Sequence, residues 1–145
     1  MNGNGKIKDL DEELLPFLME GEEIRLLMVW SNGCKPCESL KRALRELKDE
    51  HRDKMFRKVK MGEDDDVERF RMNRFLMGVP TVFVSNGSIL AYTMGAGPVG
   101  YEKEKYSEIL NSLIEGSYSV DKENGEISFP GENDIYKNFN FEVIK

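Results

Sequence analysis

Ile24 to Trp30 reads IRLLMVW, a continuous apolar run carrying a single charge. Such a run has the form of a central strand covered on both faces, where polar alternation disappears because neither face meets water. Ser31-Asn32-Gly33 follows as a turn. From Cys34 the period becomes helical, with Leu40, Ala43, Leu44 and Leu47 on one side and Lys41, Arg42, Arg45, Glu46 and Lys48 on the other. A strand covered on both faces needs strands beside it and helices across it, which points to a layered α/β architecture.

The rest of the chain agrees. Asp9 and Glu12 read as a capping box opening a helix over about residues 9–20, interrupted by Pro16 and closed by Gly21. Met55 to Met61 is a more polar strand, and the acids Glu63 to Asp66 read as the solvated start of a helix carrying Val67 and Phe70. Gly78-Val79-Pro80 introduces a strand from Thr81 to Val84. Ser85-Asn86-Gly87-Ser88 then predicts a two-residue hairpin turn, with Ile89 to Met94 returning antiparallel. After Gly95-Ala96-Gly97-Pro98, the stripe Tyr106, Ile109, Leu110, Leu113 and Ile114 marks a last helix ending at Gly116. The order α-β-α-β-α-β-β-α predicts a mixed central sheet with helices on both faces.

On this reading residues 1–116 form one domain, complete at Gly116 and expected to fold without the remainder. Residues 117–145 contain no Leu, Met or Ala but hold Tyr118, Phe129, Tyr136, Phe139 and Phe141. They are too short for a core of their own and read as a pair of strands or an arm packing on the domain.

Composition narrows the function classes. A length of 145 residues suits one domain, and no apolar run approaches the roughly 20 residues of a spanning helix. The first residues lack the apolar stretch of a secretory signal, so a cytoplasmic location is expected. With 21 basic and 27 acidic residues the net charge is -6, and no basic cluster stands free of acids, which argues against nucleic acid and anionic membranes as partners. Two cysteines cannot build a disulfide framework, and a zinc site would need ligands from elsewhere, so no metal is expected. His51, the only imidazole, falls at the polar end of a helix and reads as a surface residue. Gly95-Ala96-Gly97 lacks the Lys-Ser/Thr continuation of a phosphate loop.

The chemistry lies in Cys34-Lys35-Pro36-Cys37, which opens a helix directly after a strand and turn. Unpaired backbone N–H groups and the positive end of the helix dipole stabilise a thiolate at Cys34, and Lys35 adds a cation. Cys37 is close enough to attack a mixed disulfide formed on Cys34. Pro36 suits the first turn. Trp30 is either a core-closing aromatic or a wall of the site, and Met77 either an apolar rim or a helix contact.

Over roughly residues 22–115 the sequence resembles the thioredoxin family. The resemblance is carried by the strand ending in Trp30, the C-x-P-C box, Gly78-Val79-Pro80-Thr81, the Ser85-Asn86-Gly87 hairpin and Gly95. It implies a thioredoxin fold, Cys34 as attacking thiolate and Cys37 as resolving thiol. It further implies that Pro80 is a cis-proline facing the cysteines. Trp30, Gly33, Met77, Gly78, Val79 and Gly95 would line the substrate groove, with the Val79 backbone pairing an extended peptide. Met28 stands where thioredoxins usually carry a buried Asp, Gly33 where they carry Trp, and Arg42 where a helix-kinking Pro falls.

The expectation is a cytoplasmic protein disulfide reductase active in electron transport, with no cofactor beyond its own Cys34-Cys37 disulfide. Its partners would be disulfide-containing client proteins and an electron-donating reductase. An oxidase or isomerase, and a non-catalytic binding module or redox sensor, are the competing readings.

Overall fold

The run at Ile24 forms β1 (Arg25–Trp30), a central strand of a mixed sheet that has five strands among the described residues. The computed structural model describes residues 23–51, 54–60, 80–121, 123–129 and 134–143. The helix expected over residues 9–20 and the one after Glu63 lie outside them. β1 leads into α1 (Lys35–Glu50) and then β2 (Met55–Lys60), which pairs parallel to β1. β3 (Thr81–Ser85) pairs antiparallel on the other side of β1, with Met28 opposite Val82. β4 (Ile89–Met94) pairs with β3 and leads into α2 (Val99–Glu115).

Burial explains the loss of alternation in β1. Leu26 and Met28 join a core cluster with Leu40 and Leu44 of α1 and Tyr106 and Ile109 of α2. Leu27 and Val29, which alternate with them, are equally buried, so neither face of the strand meets solvent. α1 and α2 pack against each other over the cluster. Of the apolar stripe expected on α2, Ile114 instead faces solvent at 44% exposure, while Leu113 is buried.

Two sequence expectations change. The β3–β4 connection is not a two-residue turn with two positive φ angles: only Gly87 has one, at 90°. Asn86 works through its side chain, its Oδ1 accepting from the N–H groups of Ser88 at 2.9 Å and Ile89 at 2.8 Å. This is the local bonding that lets Asn shape a turn without itself going left-handed.

The second change concerns the end of the chain. After Gly116, which closes α2 at φ 69°, come the hairpin β5 (Ser119–Asp121) and β6 (Glu126–Ser128), a 3-10 helix (Asp134–Asn138) and β7 (Asn140–Val143). β7 pairs antiparallel with β4 in the main sheet, whose order is β2-β1-β3-β4-β7. Ile135 and Phe139 are buried in the core cluster, Phe139 edge-on to Tyr106 with ring centroids 5.8 Å apart. The sheet is therefore not complete at Gly116.

Candidate active site

Three strand ends meet at one edge of the sheet. Val29 of β1 pairs with Thr81 of β3, and Thr81 pairs with Met94 of β4. The residues just beyond these positions are therefore neighbours: the Trp30-to-Cys37 segment, Pro80 and Gly95. Gly95 donates its N–H to the Pro80 carbonyl at 2.8 Å. It does so with φ at 89°, a conformation that an L side chain rarely adopts.

Gly33 turns the chain into α1 for the same reason. Its φ is 71° and no atom lies within 4 Å of where a Cβ would stand, so backbone conformation, not crowding, favours glycine there. Cys34 then has the extended backbone of an N-cap, and its Sγ accepts the N–H of Cys37 at 3.1 Å. A cysteine thus takes the place usually held by Ser, Thr or Asp. Pro36 lies in the first turn, where no intrahelical N–H bond is lost.

Cys34 and Cys37 are joined by a disulfide with Cα atoms 5.2 Å apart. Their surroundings differ: Cys37 is fully buried in the core cluster, whereas Cys34 is half-buried at its margin. A thiol partner arriving from solvent meets Cys34 first. Cys34 caps the N-terminus of α1, and Cys37 sits one turn in, facing apolar side chains.

Lys35 is exposed beside Cys34. Trp30 is half-buried and packs against the core, and Pro80 is buried at the entrance to β3. Met77, Gly78 and Val79 lie outside the described residues. Among the described residues no three His, Cys, Asp or Glu side chains converge as a metal site would require. His51 caps the C-terminus of α1, away from the disulfide, its N–H donating to the Leu47 carbonyl at 2.9 Å.

Two residues at this edge escape a reading based on pattern. Met94 is 56% exposed beside Gly95, at the end of a strand whose alternation could have flagged it. Lys41, assigned to the polar face of α1, instead lays its ammonium over the Trp30 ring, 2.9 Å from the centroid. Its spacing of four from Cys37 was the available signal.

No protein-family model matches the chain, and no curated protein matches it in sequence. Solved structures do match. Thioredoxin f2 of Chlamydomonas reinhardtii aligns with a TM-score of 0.51 at 20% identity, over 67% of this chain and 85% of that one. Thioredoxin of Trypanosoma brucei brucei aligns with a TM-score of 0.53 at 19% identity, over 70% and 87%. Chloroplastic thioredoxin z gives 0.53 at 20%, over 70% and 91%. The chain has the thioredoxin fold. The fold expected from the C-x-P-C box and its flanking elements is the one found.

Proposed function

We propose that the chain is a thiol-disulfide oxidoreductase that reduces protein disulfides. The reading is carried by one observation: a Cys34-Cys37 disulfide at a helix N-terminus, with one sulfur half-exposed and the other buried. In the reduced protein the Cys34 thiolate attacks a client disulfide. A mixed disulfide forms, and Cys37 displaces it, leaving the reduced client and the Cys34-Cys37 bond. A separate reductase returns two electrons to that bond, so no other cofactor takes part, and the working compartment is the cytoplasm.

Trp30, Gly33, Met77, Gly78, Val79 and Gly95 line the client groove in this proposal, with Met94 added. Pro80, expected in the cis form, separates them from the sulfurs, and Lys35 and Pro36 support the thiolate. The test is turnover of disulfide-bonded insulin with dithiothreitol as electron source. Unmodified protein accelerates reduction, Cys34→Ser abolishes the acceleration, and Cys37→Ser retains clients as mixed disulfides on Cys34. Equal trapping by Cys34→Ser reverses the two roles. No acceleration above the dithiothreitol background favours a binding module or redox sensor.

A further inference from the structure

We infer that Lys41 is a positioning residue of the dithiol site, holding the Trp30 ring and supplying the positive charge against which the Cys37 thiolate forms. The inference rests on the thiol-exchange reading above and concerns its release step. Lys41 follows Cys37 by four residues, which puts their Cβ atoms on one helix flank about 5–6 Å apart. Side chains on a helix lean toward its N-terminus. Lys41 does so: its Nζ lies 3.3 Å from Glu38 Oε1 in the first turn and 2.9 Å from the Trp30 ring centroid. Its side chain is only 14% exposed. A lysine on a helix flank normally extends into water, whereas this one lies across an aromatic face, partly stripped of hydration. A cation so placed acts more strongly on a nearby thiolate than one in bulk solvent.

The release step needs that help. Cys37 must lose its proton to solvent. Its sulfur electron pair then forms the bond to Cys34 Sγ as the Cys34-client bond breaks, and the client sulfur leaves with that bond's electrons and takes a proton from water. Among the described residues no carboxylate is hydrogen-bonded to Cys37, whose N–H donates to Cys34 Sγ. Met28, buried in the same cluster, does not titrate. On α2, Tyr106 shares the cluster, but burial and then the Glu102 charge push its phenol well above its usual range, so it stays protonated. Glu102, itself buried, meets Lys105 through Oε1 at 2.8 Å, and its Oε2 has no hydrogen-bond partner among the described residues. On α1, Glu38 is 68% exposed and pairs with Lys41, and Lys35 is exposed and beside Cys34. Direct stabilisation of the thiolate by Lys41 is the route that the flank of α1 itself supplies.

The test uses the reduced full-length chain and excess dithionitrobenzoate. Attack by Cys34 gives a bimolecular phase. Displacement by Cys37 gives a second phase independent of reagent concentration. Lys41→Met is expected to slow the second phase about tenfold at neutral pH and to move its pH midpoint upward, while Lys41→Arg preserves both. Glu38→Gln is expected to accelerate it, because the carboxylate no longer competes for the ammonium. Trp30 is the only tryptophan in the chain, so its emission reports the contact: Lys41→Met changes it and Lys41→Arg restores it. A second phase in Lys41→Met that superimposes on the unmodified profile overturns the inference and leaves the exchange reading standing. If Lys41→Met does not fold, an unchanged or slower phase in Glu38→Gln overturns it instead. Absence of any second phase in the unmodified chain overturns the exchange reading, and this inference with it.

Discussion

Met28 is fully buried in the cluster that also holds Cys37, Leu40 and Tyr106, so its methylenes and sulfur do packing work at a position where a carboxylate would be without water. Met28→Asp is expected to cost several kcal/mol at neutral pH, because the charged form is desolvated. Burial raises the folded-state pKa of the new carboxyl above its unfolded value. The penalty is therefore smallest below about pH 4, where both states hold the proton, and grows as pH rises through the folded value. Met28→Asn carries a polar group of similar size without that titration. Urea unfolding of both variants at low and neutral pH checks this. A penalty for Met28→Asp that does not grow with pH relative to Met28→Asn would mean that a partner, such as Lys41, reaches the new carboxylate. At this scale the cysteine pair and its helix start were legible, since spacing and polarity announce both. The placement of Lys41 was not, because a lysine on a polar face and one folded across an aromatic ring have the same pattern.

Asn86 links three elements, and its side chain makes contacts that its own hairpin does not require. Besides accepting from Ser88 and Ile89, it donates through Nδ2 to the Tyr118 hydroxyl at 2.9 Å and to the Leu113 carbonyl at 3.4 Å. The β3–β4 turn is thereby bonded to the end of α2 and the start of the tail. Asn86→Ala removes the turn bonds and leaves partners at a half-buried position, an expected loss of about 2 kcal/mol. Asn86→Asp keeps the acceptor and removes the donor, so it should lose the ties to Leu113 and Tyr118 while the hairpin remains. Urea midpoints of the two variants, with amide exchange at Ser88 and Ile89, separate the contributions. Protection of those amides in Asn86→Ala would show that the side chain does not hold the turn. The strands themselves were legible from apolar runs and an Asn-Gly pair. The turn geometry was not, because Asn-Gly signals a tight connection without fixing whether Asn contributes its backbone or its side chain.

Across the whole molecule, the segment after Gly116 closes the sheet. It was hard to read because β7, Asn140-Phe141-Glu142-Val143, alternates strictly but over only four residues, too few to stand out, while its neighbours suggested a surface arm. Phe129 stacks on Tyr136 with ring centroids 4.1 Å apart, Tyr136 and Ser112 are joined through their hydroxyls, and Thr93 donates to the Asn138 carbonyl at 2.7 Å. Removing residues 117–145 uncovers the β4 edge and part of the core. The truncated chain is expected to unfold with a lower midpoint and a broader transition, and Phe139→Ala alone to cost about 3–5 kcal/mol. A truncated chain as stable and cooperative as the full one would restore the boundary at Gly116. The same seam carries a titration. Tyr92 of β4 has its phenol pushed up to about 12, first by burial and then by the charge of Glu142 on β7, whose carboxylate also bonds it. A phenol harder to ionise in the folded protein than in the unfolded chain, where it titrates near 10, adds stability that is fully present below pH 10. That contribution drains away as pH rises from about 10 to about 12, because the unfolded state then releases its proton first. Tyr92→Phe removes this component, so the stability difference between the two proteins should narrow across that window. A difference that stays constant there would mean that Tyr92 ionises equally well in both states and that Glu142 does not act on it.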